Sequence, residues 1–264
     1  MLSSGLSGQR ILVTASSSGI GFGAARAFLE EGASVVINSS NPAKLDEALN
    51  KLKPLGKVHK VVADLTRRGD IDRLVNEAAT LLGGGIDTLV YVTGSPPPGT
   101  FLDQDYEDWE SGSKLLLVSA AYVAKKVSEL MITTNTKGRL VFLTSTVIRE
   151  PSPTLALSNV CRISVAGLVR TLARELGPKG IRVNGILPGW VRTPRVDQIA
   201  RDTAKRRGIT EEQAISEIEG QIPLGHIASP AELARTIVFL GSEMSSYVTG
   251  AMIPVDGGVL RSVG

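Results

Sequence analysis

The chain is poor in the residue types that build metal centres and disulfides. Cys161 is its only cysteine, so no intrachain disulfide and no thiolate metal cluster can form. Its two histidines, His59 and His226, stand far apart and lack ligand spacing, so no metal is expected. No apolar run approaches the roughly 20 residues that cross a bilayer. The N-terminal stretch MLSSGLSGQR has no basic segment followed by an apolar one. A soluble cytoplasmic protein with no membrane partner is therefore expected. Excess charge is also scarce: 29 Lys and Arg stand against 26 Asp and Glu, leaving +3, with both signs interspersed. So weak an excess does not argue for nucleic acid.

What the chain does have is apolar mass and glycine. Of its 264 residues 42% are hydrophobic, enough for one substantial core. Its 28 Gly suit many tight strand-to-helix turns. RILVT, SVVIN, KVVAD, IDTLVYV, GRLVFLTS, IRVNGIL and AMIPV read as seven strands. Helical patterns lie between them: GIGFGAARAFLEEG, AKLDEALNKLK, residues 71–82, residues 109–131, SNVCRISVAGLVRTLARELG and PAELARTIVFLGS. This alternation predicts an α/β fold of the Rossmann type: a seven-stranded parallel sheet, doubly wound, in a three-layer sandwich. No repeat, low-complexity run or linker divides the chain, so residues 1–264 are expected to form a single domain. The longest irregular candidate, TGSPPPGTF at 93–101, carries three prolines. It makes a stiff loop at the C-terminal end of the fourth strand, the end at which such sheets bind ligands.

The first strand runs into TASSSGIG, residues 14–21. Gly19 and Gly21 remove Cβ atoms where the turn must let a pyrophosphate approach the backbone. The following helix aims its first N–H groups at that anion. Ser16, Ser17 and Ser18 can add hydroxyl donors. Taken alone, such a turn serves equally well as a purely structural one.

Several further segments, in order, give the chain a resemblance to the short-chain dehydrogenase/reductase family from about residue 8 to residue 258. TASSSGIG resembles that family's Thr-Gly-x-x-x-Gly-Ile-Gly, with Ala15 replacing the first Gly. ADL at 63–65 is similar to the segment after the third strand, where Asp64 would meet the adenine amino group beside Leu65. YVTG at 91–94 stands in place of Asn-Asn-Ala-Gly and keeps Gly94. GRLVFLTS resembles the strand that ends at the active-site serine, here Ser145. GIRVNGILPGWVRTP is similar to the segment under the nicotinamide, where Pro188, Gly189, Val191 and Thr193 shape the pocket. YVTGAMIPVDGG, 247–258, resembles the C-terminal signature.

The resemblance implies a single NAD(P)-binding domain with a substrate-side insertion at about 193–228. Its cofactor-binding residues would include Thr14, Ala15, Ser16, Ser17, Ser18, Gly19, Ile20 and Gly21 of the turn, with Arg162. An acid after the second strand would select NAD. INSSN at 37–41 has none, whereas Ser39, Ser40 and Asn41 can bond a 2′-phosphate and Lys44 follows. No arginine stands in the usual places. NADP is favoured, with NAD the alternative. A homo-oligomer, tetramer or dimer, is also implied.

The family's chemistry is hydride transfer between a nicotinamide and a carbonyl or alcohol. A tyrosine moves the proton, and a lysine one helical turn later lowers that tyrosine's pKa and holds the ribose. A serine polarises the substrate oxygen, and an asparagine supports a water relay. Here Ser158 takes the tyrosine's place, Arg162 the lysine's and Leu116 the asparagine's; only Ser145 is kept. A serine hydroxyl donates a hydrogen bond but is a poor general acid. Arg162 is always charged and can hold ribose hydroxyls or a developing alkoxide. Losing general acid–base catalysis costs about 10²–10⁴-fold. Arg149, Glu150 and Tyr91 are the other ionisable candidates, each also readable as a loop or packing residue. Cys161 reads as a packing residue. Arg192, Arg195 and Arg201 on the insertion either attract an anionic or acyl-carrier substrate or form a solvated helix face. Two functions follow. One is an atypical reductase or dehydrogenase, similar to the 3-oxoacyl-carrier-protein-reductase-like branch, acting on a small carbonyl or alcohol through Ser145, Ser158 and Arg162. The other is a catalytically inactive nicotinamide-dinucleotide-binding protein of the same fold.

Overall fold

Each strand sends alternate side chains to opposite faces, and that alternation sorts the apolar residues into two cores. In the computed structural model, which describes residues 4–263, β1 (Arg10–Val13) puts Ile11 and Val13 in one core and Leu12 in the other. β2 (Ser34–Ser39), β4 (Thr88–Tyr91) and β5 (Arg139–Leu143) divide in the same way. With β3 (Val58–Val62), β6 (Arg182–Pro188) and β7 (Met252–Val255) they form one sheet of seven strands, ordered β3-β2-β1-β4-β5-β6-β7. Every pairing is parallel. The expected doubly wound α/β sandwich is therefore the fold.

Helices α1 (Gly19–Glu30) and α2 (Pro42–Leu52) cover one face through Phe28, Leu29, Leu45 and Leu52. On the other face lies α3 (Arg68–Leu81), with Leu74 and Val75 buried. Next in the chain, α4 (Tyr106–Ser113) continues into α5 (Ser119–Thr133) through a π-helical segment at Lys114–Val118. α6 (Ala156–Leu176) packs beside α5 on the α3 face through Val165 and Val169. The helical reading of 109–131 thus holds but misses the π segment, because one wide turn leaves no mark on hydrophobic periodicity.

The 193–228 insertion folds as α7 (Pro194–Arg207) and α8 (Glu211–Glu219) over a small core of Val196, Ile218, Ile222 and Ile227. A single parallel bridge, Val191 to Ala228, closes its base. The last helix, α9 (Pro230–Leu240), packs against α1.

α9 begins with a reciprocal cap. Ser229 Oγ accepts from Glu232 N, and Glu232 Oε2 accepts from Ser229 N at 2.7 Å. Glu232 Oε1 also lies 3.1 Å from His226 Nε2. The Ser229 N–H and the imidazole hold the Glu232 pKa down at about 2, against 4.5 ordinarily. A carboxylate with a lowered folded-state pKa contributes stability above its unfolded value and loses it on protonation. The cap is therefore expected to stay intact above pH 4.5 and to weaken only as pH falls from there toward about 2. A Glu232 carboxyl resonance that titrates near 4.5 in an NMR pH series would contradict this.

Candidate functional site

The strand order reverses direction between β1 and β4, and the C-terminal ends of those strands open a crevice. Thr14 ties the two sides together: its Oγ1 donates to Val92 O at 2.6 Å and accepts from Val92 N at 2.8 Å. Ser16 is buried and similarly occupied, donating to Val13 O at 2.8 Å and accepting from Asn38 N at 2.9 Å. Both hydroxyls are spent on the scaffold.

The glycines of the turn are demanded by close approach. A Cβ on Gly21 would lie 2.6 Å from Ala15 O, and one on Gly19 would lie 3.2 Å from Thr193 Cγ2. Gly19 has φ +57°. Ser18, the N-cap of α1, makes no side-chain cap bond, so its hydroxyl leaves the first N–H groups of the helix open to an anion. Ile20, partly exposed, follows in the first turn of α1. Ser17 Oγ lies 3.3 Å from Ser39 Oγ, and Ser40 is exposed beside them. Asn41 instead caps α2 by accepting from Lys44 N at 3.0 Å. Asp64 Oδ1 accepts from Thr66 N and Oγ1, and Leu65 is buried in the core.

Ala15 sits at φ +43°, in the left-handed region. A Cβ there costs about 1–2 kcal/mol, offset in part by the roughly 0.4–1 kcal/mol that alanine saves in the unfolded chain. Ala15→Gly is expected to raise the melting temperature by about 2–4 °C, read by calorimetry. No rise, or a fall, would show that the turn relaxes around alanine without strain.

Asn38 escaped the sequence reading. It is 1% exposed, its Nδ2 donates to Val61 O and Ala63 O, and its Oδ1 accepts from Ala15 N. One amide thus joins the turn to β2 and β3. The only signal in the sequence is a polar residue at the end of an apolar strand run.

The second half of the site is built on α6. Ser158 and Arg162 lie one turn apart on its buried face, and Arg162 Nε donates to Ser158 Oγ at 2.9 Å. Arg162 Nη1 reaches Thr144 O at 3.4 Å, and Nη2 reaches Gly94 O at 3.3 Å. One guanidinium therefore links α6, the residue before Ser145 and the Pro-rich loop. No carboxylate pairs with it among the described residues; all three acceptors are neutral. Burial pulls the Arg162 pKa below its ordinary value, opposed by the nearby Tyr91 and Cys161.

Ser145, two residues past β5, is extended and caps a 3-10 turn, its Oγ accepting from Val147 N at 3.3 Å. Ser158 Oγ likewise accepts, from Arg162. Each hydroxyl therefore keeps its proton available to donate. Gly94 leaves open space where its Cβ would stand, with no atom within 4 Å. Pro188 closes β6, and Gly189 approaches Asp256 so closely that a Cβ would lie 2.7 Å from its Cα. Val191 is buried at the insertion's base, and Thr193, the N-cap of α7, stands over Gly19.

The remaining candidates are engaged elsewhere. Tyr91 packs on Phe142, with ring centroids 5.7 Å apart. Its hydroxyl lies 2.6 Å from Ser119 Oγ, and burial pushes its pKa above 10. Leu116 is buried in the π segment, and the neighbouring Leu115 carbonyl accepts from Tyr91, Thr93 and Ser119 hydroxyls. Arg149 reaches Met252 O, and Glu150 accepts from the Arg261 and Ser262 N–H groups. Cys161 is buried, 3.7 Å from Ser113 Oγ. On the insertion, Arg192 pairs with Asp197 and Arg201 donates to Gln198, while Arg195 is exposed. A hollow of about 380 Å³ there is lined by Asp197, Glu211, Glu212 and Glu219 against Arg192 alone, a poor receptor for an anion.

A family model described as enoyl-(acyl carrier protein) reductase matches residues 14–260. The chain is 32% identical over 259 residues to a 3-oxoacyl-[acyl-carrier-protein] reductase of Thermotoga maritima, covering 97% of this chain and 99% of that one. It superposes with TM-score 0.94 and 30% identity on L-sorbose reductase from Gluconobacter frateurii complexed with NADPH and L-sorbose, covering 99% and 100% of the two chains. A similar structure is an NADPH-bound short chain oxidoreductase from Pseudomonas aeruginosa containing an atypical catalytic center, with TM-score 0.88, 28% identity and coverage of 97% and 99%.

Proposed function

Because the chain belongs to the short-chain dehydrogenase/reductase family, we propose that it is an oxidoreductase. It binds NADP(H) and transfers hydride to or from a small carbonyl or alcohol, with stabilisation of a developing alkoxide in place of tyrosine acid–base chemistry. The observation that carries this reading is Arg162. It is buried, with no carboxylate paired to it among the described residues, and hydrogen-bonded to Ser158 and to the carbonyls of Thr144 and Gly94.

The residues present fit the cofactor. Gly19 and Gly21 have no room for a Cβ, and Ser18 leaves the N–H groups of α1 free. Ser17, Ser39 and Ser40 offer hydroxyls and no carboxylate at the end of β2, which suits a 2′-phosphate better than a bare ribose. Bound there, the nicotinamide supplies or accepts the hydride. Ser145 and Ser158 each hold a hydroxyl with its proton free, aimed by a backbone N–H and by Arg162 respectively. Two neutral donors backed by a desolvated cation match a substrate oxygen that gains negative charge. Neither hydroxyl titrates near neutral pH, so the finishing proton exchanges with solvent.

The missing acid also favours a second reading, a cofactor-binding protein without turnover. NADPH and NADH binding by fluorescence, followed by turnover on a panel of ketones, aldehydes and alcohols, separates the two. Turnover that is lost in Ser145→Ala is the expected result. Tight NADPH binding with no turnover across the panel would overturn the enzyme reading.

A further inference from the structure

The other end of the sheet carries a second concentration of charge. Arg139 opens β5 and Arg182 opens β6, and the two are register partners across the parallel pair. Arg139 is 4% exposed. It pairs with Glu243, donates from Nη1 to Gln9 Oε1 at 3.0 Å, and leaves its buried Nε without an acceptor. Arg182 donates only to neutral oxygens: the carbonyl of Ser242 at 2.9 Å, and the carbonyl and hydroxyl of Ser245. Lys137 forms no ion pair among the described residues. Burial, then the charge of Arg139, pulls the Arg182 pKa below its ordinary value.

These groups line a cavity of about 540 Å³, walled also by Tyr247 and Thr249. Gly180, at φ +77°, lets the Lys137 stem lie over it, since a Cβ there would stand 3.1 Å from Lys137 Cγ. Three cations face the cavity with one carboxylate, Glu243, whose side chain is 61% exposed. Glu243 pairs with Arg139 alone, so Arg182 and Lys137 face the cavity with no ion pair of their own among the described residues, an arrangement that an added anion would stabilise. Arginine forks beside a lysine suit a tetrahedral, doubly charged oxyanion, two of whose oxygens accept from each fork.

We propose that this cavity binds a phosphoryl group, free or carried on a small molecule. It lies across the sheet from Ser145 and Arg162, about 20 Å away along the seven residues of β6. It is thus independent of the hydride-transfer reading.

The test titrates inorganic phosphate against the full-length protein at constant ionic strength, reading the melting temperature, with chloride as control. The melting temperature is expected to rise with phosphate. Lys137→Ala, which removes a side chain that forms no ion pair, is expected to weaken the apparent affinity at least tenfold, whereas Lys51→Ala, an exposed lysine on α2, leaves it unchanged. Crystals soaked in tungstate are expected to show an anomalous peak between Arg139, Arg182 and Lys137. Glucose 6-phosphate binding more tightly than phosphate, with the gain lost in Tyr247→Ala, identifies a carried phosphoryl group; equal affinities identify the free ion. No stabilisation beyond chloride, equal affinity in Lys137→Ala, or tungstate only at the β1–α1 turn would each overturn the proposal.

Discussion

Arg162→Met is expected to lower kcat/KM by about 10²–10³-fold while moving the melting temperature by only a few degrees. The activity loss is the scale set by removing one preorganised donor from a site that stabilises an oxyanion. The small stability change follows from the surroundings of Arg162. It is buried with no carboxylate partner, so its charge is desolvated without a Coulombic return. Methionine keeps an unbranched apolar stem, shorter than arginine's, and removes that cost. Against this, Ser158 Oγ and the Thr144 and Gly94 carbonyls lose a donor, at about 1–3 kcal/mol for any that stays dry. The opposing effects nearly cancel in folding, and only the activity effect survives. Steady-state kinetics and calorimetry on one preparation check both halves. A loss of activity that merely tracks a collapse in melting temperature would make Arg162 a structural residue.

Ser158→Tyr with Arg162→Lys is expected to raise kcat by about 10²–10⁴-fold, the worth of a positioned general acid. The two positions lie one turn apart on the buried face of α6, so the new phenol and ammonium would share the face that Ser158 and Arg162 share now. The pH profile should change along with the rate. Neither Ser158, which does not ionise, nor Tyr91, pushed above 10 by burial, supplies a proton donor that titrates near neutral pH. Reduction by the native protein should therefore be nearly flat from pH 6 to 9, because solvent protonates the alkoxide after hydride transfer. The double variant should gain a descending limb as its tyrosine deprotonates below 10 beside the lysine cation. A native profile that already carries this limb would mean that an unrecognised acid does the work. Leu116 limits the gain, because no side chain there supports a water relay.

Much of the molecule was legible before its structure. Seven apolar runs and the helices between them specify a parallel doubly wound sheet, since few topologies bury such strands on both faces. Gly19 and Gly21 are readable as a turn because only a missing Cβ fits there. Ala15 is readable as a strained substitute, and its φ of +43° agrees. Ser158 and Arg162 are readable as neighbours because helical spacing is local.

Other features depend on distance in the chain. Asn38 is one polar residue in a strand until β1, β2 and β3 surround it. Tyr91 looks like an acid until the core closes over it. Thr14 and Ser16 look like ligand donors until Val92 and Val13 accept their protons. The basic cavity joins Lys137 and Arg139, Arg182, and Glu243 from three segments, the outermost more than a hundred residues apart.

The sequence alone determined the fold, the turn and the pairing of Ser158 with Arg162 on one helix face, because each rests on periodicity or on neighbours within one turn. The tertiary structure decided which hydroxyls remain free to donate, that Arg162 has no counter-charge, and where buried cations gather. Those properties are set by which acceptors and carboxylates the packing brings within hydrogen-bond reach, and that reach is a matter of three-dimensional distance.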